Sequence, residues 1–465
     1  GGVQIRTAAN LANYLHSGLN RIVEYPYRSN EVSANKLLAL TMYRRAMLIP
    51  NFDGHLPPPE LTDEYGNRIL YDEAMRQLID TIERTQRGDG GWGYWESTRA
   101  SHFPLSAHLL LALAELKQDG VSFRAQTAEN AVRFLTDHMA NRRDLGREQE
   151  LDTTAEADDR AFALRALARF GGARDEMGGF VDELIERREL LSVDGRLDMI
   201  RVLQQTGMRS DARQTLLTEL EALLEVDPRG MFLSHDADER WYRSGDATSR
   251  TAEYVRVLIA EDATDLHEHP LVPKLLAWLI RARSDDGTWG GTPGTVSVLA
   301  ALVDFLRASE EYAAEYTATI LADGRNVLQY GVNGESLFDT HFVEITTEDV
   351  LERGEEGVIL QFLKQGSETG ALYYDIVLEY FLPVRDIAAR EEGITVEREY
   401  FALEDDAEAE PRQTANIGEV LRGKITVTVP DDRRLVAVDS PLPAGLELIN
   451  FRLQTSDQTL RETWK

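Results

Sequence analysis

The segment Glu24-Tyr25-Pro26-Tyr27-Arg28-Ser29-Asn30-Glu31-Val32-Ser33 sets a hydroxyl two residues before a carboxylate, just ahead of the apolar run Asn35-Lys36-Leu37-Leu38. Ser29 and Glu31 are the residue types of a nucleophile and a base, but no His lies near in sequence to relay a proton. Glu31 reads more simply as a first-turn carboxylate, with Ser29 or Asn30 as the N-cap. The one close histidine pair, in His267-Glu268-His269, has no further His or Cys nearby to complete a ligand set, so a surface position is expected and no metal or other cofactor. The acidic cluster Glu156-Ala157-Asp158-Asp159 stands at a helix start, where carboxylates complement the partial positive charge of the exposed N–H groups. No phosphate loop or dinucleotide fingerprint occurs.

These groups need a large scaffold, and 465 residues supply one of several domains. Hydrophobic residues make up 43% of the chain without any run of the ~20 apolar residues that a membrane span requires. Lys plus Arg is 50 against 80 for Asp plus Glu, a formal charge of −30 that would repel a phosphate backbone or an anionic membrane surface. The cations are nearly all arginine, whose planar fork suits paired carboxylates. Cysteine is absent, which removes disulfides, thiolate nucleophiles and Cys-ligated zinc. The opening Gly1-Gly2-Val3 has no initiator Met or leader pattern, so an excised piece of a longer protein is expected.

Apolar residues recur at three- and four-residue spacing through nearly all of positions 4–309. The pattern predicts about twelve helices, over 4–23, 31–48, 69–86, 104–117, 125–140, 157–170, 176–188, 193–206, 209–224, 247–260, 268–283 and 293–309. The second, fourth, sixth, tenth and twelfth begin with small or hydroxylated residues and then run richly apolar; the third, seventh and ninth carry more charge. Alternation of a buried with a solvated type predicts six antiparallel hairpins forming an α/α toroid over residues 1–312, a pattern that an open solenoid would share.

Beyond about residue 312 short alternating runs such as Val343-Glu344-Ile345, Val358 to Phe362, Tyr373 to Tyr380 and Lys424 to Val429 predict β-sandwich-like domains. The charged stretch Arg385 to Glu392 separates 313–384 from 393–465, and the acidic run Glu404 to Glu410 reads as a solvated loop. Strand candidates at 394–402, 418–429, 434–439 and 446–454 are too few for a closed sandwich. The second β-domain is therefore expected to continue past Lys465.

Two stretches inside the helical region share a form: Gln86 to Trp95, containing Gly90-Gly91-Trp92-Gly93-Tyr94-Trp95, and Asp285-Asp286-Gly287-Thr288-Trp289-Gly290-Gly291. Glycines permit a tight turn there and an aromatic ring can cover the hairpin end. The pattern resembles the toroid superfamily of terpenoid cyclases, protein prenyltransferases and thioester domains. The sharper resemblance is to bacterial alpha-2-macroglobulins, which carry Tyr-Pro-Tyr-Gly-Cys-x-Glu-Gln at the second toroid helix, the Cys and Gln side chains forming an internal thioester. Tyr25, Pro26, Tyr27 and Glu31 match; Arg28 stands at the glycine, Ser29 at the Cys and Val32 at the Gln, with Asn30 between. Valine has no carbonyl to acylate and serine is a poor thiolate substitute, so the bond cannot form. The bulk of Arg28 is expected to crowd the turn even if Cys and Gln were restored.

Further similarity lies in Gly90 to Trp95, in 325–380 as a CUB-like domain, and in Val396 to Tyr400 and Leu442 to Glu447 as the last macroglobulin domain. The resemblance implies a non-enzymatic chain with proteases as non-covalent partners, alongside other domains of its own longer polypeptide and other envelope proteins, at a bacterial periplasm or cell envelope. Residues Tyr25 to Val32 mark the vestigial site, with Trp92, Tyr94 and Trp95 as neighbours. The alternatives are a toroid enzyme, which needs a deep apolar axial cavity with an acid, and a purely structural scaffold.

Overall fold

The computed structural model describes residues 2–52, 56–63, 66–144, 153–171, 174–234, 246–284, 286–346, 348, 357–367, 369–381, 383, 394–403, 409–429 and 438–449. They fall into two compact units, Gly1–Glu379 and Tyr380–Lys465.

In the first unit six helices form an inner ring: α2 (Asn30–Met47), α4 (Phe103–Gln118), α6 (Thr154–Phe170), α8 (Val193–Thr206), α10 (Ala247–Glu261) and α12 (Thr292–Ala308). Each packs on the next, and α12 returns to α2, so the ring is closed. Outside it lie α1 (Leu15–Val23), α3 (Tyr71–Thr85), α5 (Ala125–Asp144), α7 (Arg174–Glu186), α9 (Ser210–Glu221) and α11 (Val272–Arg281). The division follows from burial. Helix α4 buries Leu105, Ala107, Leu109, Leu110, Ala112, Leu113 and Leu116 around most of its girth, whereas α3 buries one stripe, Ala74, Met75, Ile79 and Ile82.

The ring also takes in α8, although its sequence is charged. The helix expected over 4–23 begins only at Leu15, and residues 2–8 form a strand, β1 (Gly2–Ala8). Val3, Ile5 and Thr7 alternate, and β1 runs antiparallel between β6 (Thr340–Thr346) and β8 (Tyr373–Glu379), with Ile5 opposite Val343 and Ile376. A short hairpin, β2 (Leu224–Asp227) with β3 (Gly230–Leu233), follows α9; Phe232 on β3 stacks on Trp278 of α11 at 4.9 Å.

A second sheet places β4 (Tyr316–Ala322) between β5 (Arg325–Val332) and β7 (Leu360–Gly366), again antiparallel. Ile5 and Ile345 from the first sheet meet Ile320 and Ala322 from the second in one small core, as in a sandwich. In the second unit β9 (Thr395–Ala402) pairs antiparallel with β10 (Leu421–Thr428). Residues 438–449 contain no strand, and the remaining candidates at 434–437 and 450–454, the end at Lys465, residues 385–392 and most of the run 404–410 lie outside the described residues.

Candidate functional site at the start of the second helix

Ser29 is the N-cap of α2: its backbone is extended and its Oγ accepts from the N–H of Val32 at 3.2 Å. That side chain meets one of the donors a helix N-terminus leaves without an intrahelical partner. Ser29 and Val32 are both buried, so the two positions that resemble the thioester pair sit together as N-cap and third helical residue. Asn30 ties the helix to the glycine-rich loop: its N–H donates to the Tyr94 carbonyl at 2.9 Å, its Nδ2 to the Gly93 carbonyl at 2.8 Å, and its Oδ1 accepts from Thr85 Oγ1 at 2.7 Å. Sequence reasoning set Asn30 between two reacting positions; in the structure it is the main anchor.

Tyr25 and Tyr27 are exposed, with ring centroids 5.4 Å apart, and Arg28 also faces solvent. The backbone at Arg28 is not in the left-handed region that favours glycine. Trp95 is exposed and its ring neighbours that of Tyr94, which also contacts His102 at 5.2 Å. Tyr94 therefore joins the start of α2 directly, Trp95 lies beside it, and Trp92 is elsewhere.

Trp92 is fully buried and structural. Its Nε1–H donates to the Ile82 carbonyl at 2.8 Å and its N–H to Ser106 Oγ at 2.9 Å. Trp289 repeats this: Nε1–H to the Leu279 carbonyl at 2.6 Å, N–H to Thr295 Oγ1 at 3.0 Å. Each indole closes the last turn of an outer helix while its backbone is held by a hydroxyl of the next inner one. A Cβ at Gly90, whose φ is +93°, would meet the Asn130 carbonyl at 2.4 Å, so the loop before Trp92 needs glycine there.

Glu31 lines a cavity of about 190 Å³ within the ring. On α2 the lining residues are Glu31, Asn35, Leu38 and Met42, one face of the helix, so the cavity runs about 16 Å deep at 1.5 Å per residue. Its mouth lies at the N-terminal ends of the inner helices, at Glu31, Pro104, Asp194, Ser249 and Pro293. Toward the other end is an ion-pair network. Arg165 bridges Asp198 at 2.9 Å and Glu253 at 2.8 Å; Glu253 also meets Arg201 at 3.2 Å and Arg256 at 3.1 Å, and Arg256 reaches Asp304 at 2.7 Å. A second cluster joins Glu115 to Arg45 at 2.6 Å and to Arg169 at 2.7 Å.

Burial alone would raise the Glu253 carboxyl, but Arg165, Arg256 and Arg201 outweigh it and bring it down to about 2. Glu115 is likewise buried, and Arg169 and Arg45 hold it well below the ordinary range. Glu31 differs: burial raises its carboxyl, and among the described residues no cation pairs with it. Sequence reasoning missed the whole network. Its signal was charges at inner-face spacing within apolar helices, such as Glu115, Arg165, Asp198 and Glu253.

The other candidates have structural roles. Asp158 accepts from the N–H and Oγ of Ser192, at 3.0 and 2.6 Å, and so fixes the start of α8, while Thr153 caps α6. His269 Nδ1 accepts from the N–H groups of Leu271 and Val272. His267, expected at the surface, is partly buried edge-on against Phe305 with Nε2 3.7 Å from buried Glu311. No group of three or more metal-ligating side chains occurs among the described residues, and none of their helices is long and apolar enough to cross a membrane.

Residues 393–465 match the family model of the bacterial alpha-2-macroglobulin MG10 domain. Over 497 aligned residues the chain is 22% identical to the alpha-2-macroglobulin homolog of Nostoc sp., an alignment covering 100% of this chain and 23% of that protein. Among solved structures, Escherichia coli alpha-2-macroglobulin activated by porcine elastase superposes with a TM-score of 0.51 at 16% identity, over 98% of this chain and 36% of the other. The native Escherichia coli protein from domain MG7 to the C-terminus gives 0.51 at 13% identity, over 92% of this chain and 59% of the other. The chain thus spans about a quarter of the length of the curated relative, and the structural likeness bears on the fold.

Proposed function

We propose that the chain is the C-terminal part of a thioester-less member of the bacterial alpha-2-macroglobulin family, acting as a non-covalent protease trap or interaction scaffold at the cell envelope. The observation that carries this reading is the pairing of Ser29 with Val32. The hydroxyl is spent as a helix cap, and the valine offers no acyl group, so the site works as a folded junction rather than as a warhead. The chain keeps the docking body without the covalent step: Asn30 and Tyr94 hold the start of α2 against the glycine-rich loop, and Tyr25, Tyr27 and Trp95 remain exposed for contact. Residues 1–312, 313–384 and 393–465 would then act as ring, CUB-like and terminal macroglobulin parts, with proteases and the rest of the polypeptide as partners.

A toroid enzyme is disfavoured by the cavity itself. Its deep carboxylates, Glu115, Asp198 and Glu253, are each engaged by arginine, and those partners hold Glu115 and Glu253 below the ordinary carboxylate range, which disfavours either as a proton donor. The test is to challenge the full-length protein with elastase and resolve it on native gels. A slower-migrating species that retains protease activity toward a small peptide is expected; the absence of any complex would favour a structural scaffold instead.

A further inference from the structure

We propose that the place where the chain enters and leaves the ring is a proton-gated latch: with Glu311 protonated the sheets are held to the ring, and loss of that proton loosens the contact. The chain passes from β1 into α1 through residues 9–14 and returns from α12 to β4 through 309–315, where Glu311 begins one short turn, Glu311–Ala313. Its carboxylate accepts from the hydroxyl of Tyr373, the first residue of β8, and is reached by the backbone N–H of Leu11. Ring entry, ring exit and β8 thus converge on one fully buried side chain.

This carboxylate lacks what the other buried carboxylates of the ring have. Glu115 and Glu253 are each met by arginines. Among the described residues no lysine or arginine pairs with Glu311, and its Oε2 accepts no hydrogen bond. The groups that face it are few. His267, before α11, has Nε2 3.7 Å from Oε1 and sits edge-on to Phe305 of α12; burial and then Lys364 push its imidazole down, and Glu268 acts the other way. Lys364 on β7 donates to the Gly370 carbonyl at 2.7 Å and lies over the Tyr316 ring. The phenols of Tyr373, Tyr316 and Tyr330 are all pushed up by burial, the first two also by Glu311, so they keep their protons.

A neutral Glu311 suits this setting, whereas the anion would be buried with one hydroxyl and one backbone N–H to satisfy it. Burial accordingly raises the carboxyl to about 8, against 4.5 in water. Opening the junction lets the anion reach solvent, so the closed form is favoured fully below 4.5 and loses that advantage as pH rises through about 8. Other polar ties at the crossing, Asn10 Nδ2 to the Leu337 carbonyl at 2.6 Å and Asn51 Nδ2 to the Tyr312 carbonyl at 2.9 Å, contain no titrating group.

The experiment is hydrogen–deuterium exchange of the full-length protein at pH 6 and pH 9, expressed as protection factors so that the intrinsic pH dependence of exchange divides out. Protection of residues 309–316 and 371–374 should fall about tenfold at pH 9, one pH unit above the Glu311 transition, while that of 105–116 in α4 is retained. Glu311→Gln, neutral at every pH and of the same shape, should abolish the fall. Tyr373→Phe, which removes a donor that favours the anion, should move its midpoint to higher pH. Equal protection at both pH values in the natural sequence, the same fall in folded Glu311→Gln, an equal fall in α4, or a midpoint that Tyr373→Phe leaves in place would overturn the proposal.

Discussion

The Oγ of Ser29 accepts a hydrogen bond from the backbone N–H of Val32 at 3.2 Å, joining the two positions that the sequence resemblance sets at the thioester pair. Removing the cap should be felt as stability. Ser29→Ala is expected to cost about 1 kcal/mol, the usual worth of a helix N-cap. Asn30→Ala should cost more, on the order of 2–3 kcal/mol, because it strands the buried Gly93 carbonyl and removes the contact with Thr85. Urea denaturation checks both; equal, negligible losses would mean that the loop does not depend on this anchor.

Glu253 neutralises three buried guanidinium groups, those of Arg165, Arg201 and Arg256. Glu253→Gln should therefore destabilise the ring by about 3–5 kcal/mol, the penalty for leaving buried charge uncompensated rather than the net worth of the bridges. Chemical denaturation of the variant measures it. A loss below 1 kcal/mol would show that water reaches the network.

The helix pattern made this ring legible and hid its chemistry. Eleven of the twelve helices stand close to their expected positions because small-residue starts and apolar periods mark them, as at Ser106-Ala107 and Thr251-Ala252, whereas the first begins only at Leu15. Helix α8 was not singled out as inner because Asp194, Arg196, Asp198 and Arg201 make it look solvated; two of these, Asp198 and Arg201, are the charges buried in the network. Burial of a charge depends on partners from distant helices, which no local window contains. Strand β1 was misread for a related reason: Val3-Gln4-Ile5-Arg6-Thr7 alternates, but its partners lie more than 300 residues away. The capping role of Ser29 was legible locally, whereas the contacts of Asn30 with Thr85, Gly93 and Tyr94 required the fold.

Trp92 and Trp289 make the same pair of hydrogen bonds in two hairpins. Each, replaced by Ala, should lose about 3–5 kcal/mol, since a full indole leaves a cavity and an unsatisfied carbonyl. Trp95→Ala, on an exposed side chain, should change stability by no more than about 0.5 kcal/mol. Thermal denaturation of the three variants side by side tests the division between structural and surface aromatics.

Glu311 is buried between the ring and the sheets, accepts from the Tyr373 hydroxyl, and has its carboxyl raised to about 8, chiefly by burial. The folded form therefore holds a proton that the unfolded chain releases near 4.5, so its contribution is full below that pH and is lost as pH rises through about 8. His267, whose imidazole burial pushes below its ordinary value, lies with Nε2 3.7 Å from the same carboxylate. Melting temperature should fall between pH 6 and pH 9, and Glu311→Gln should flatten that slope; an unchanged slope would assign the pH dependence to other groups.

The most direct measurement of the central claim is the denatured intact mass of the full-length protein after separate incubation with methylamine and with an active protease. With Ser29 and Val32 in place of the reacting pair, the segment Tyr25 to Val32 should keep its sequence mass in both cases, and any captured protease should be released on denaturation. A mass gain equal to amine addition, or a protease that stays covalently attached, would contradict it.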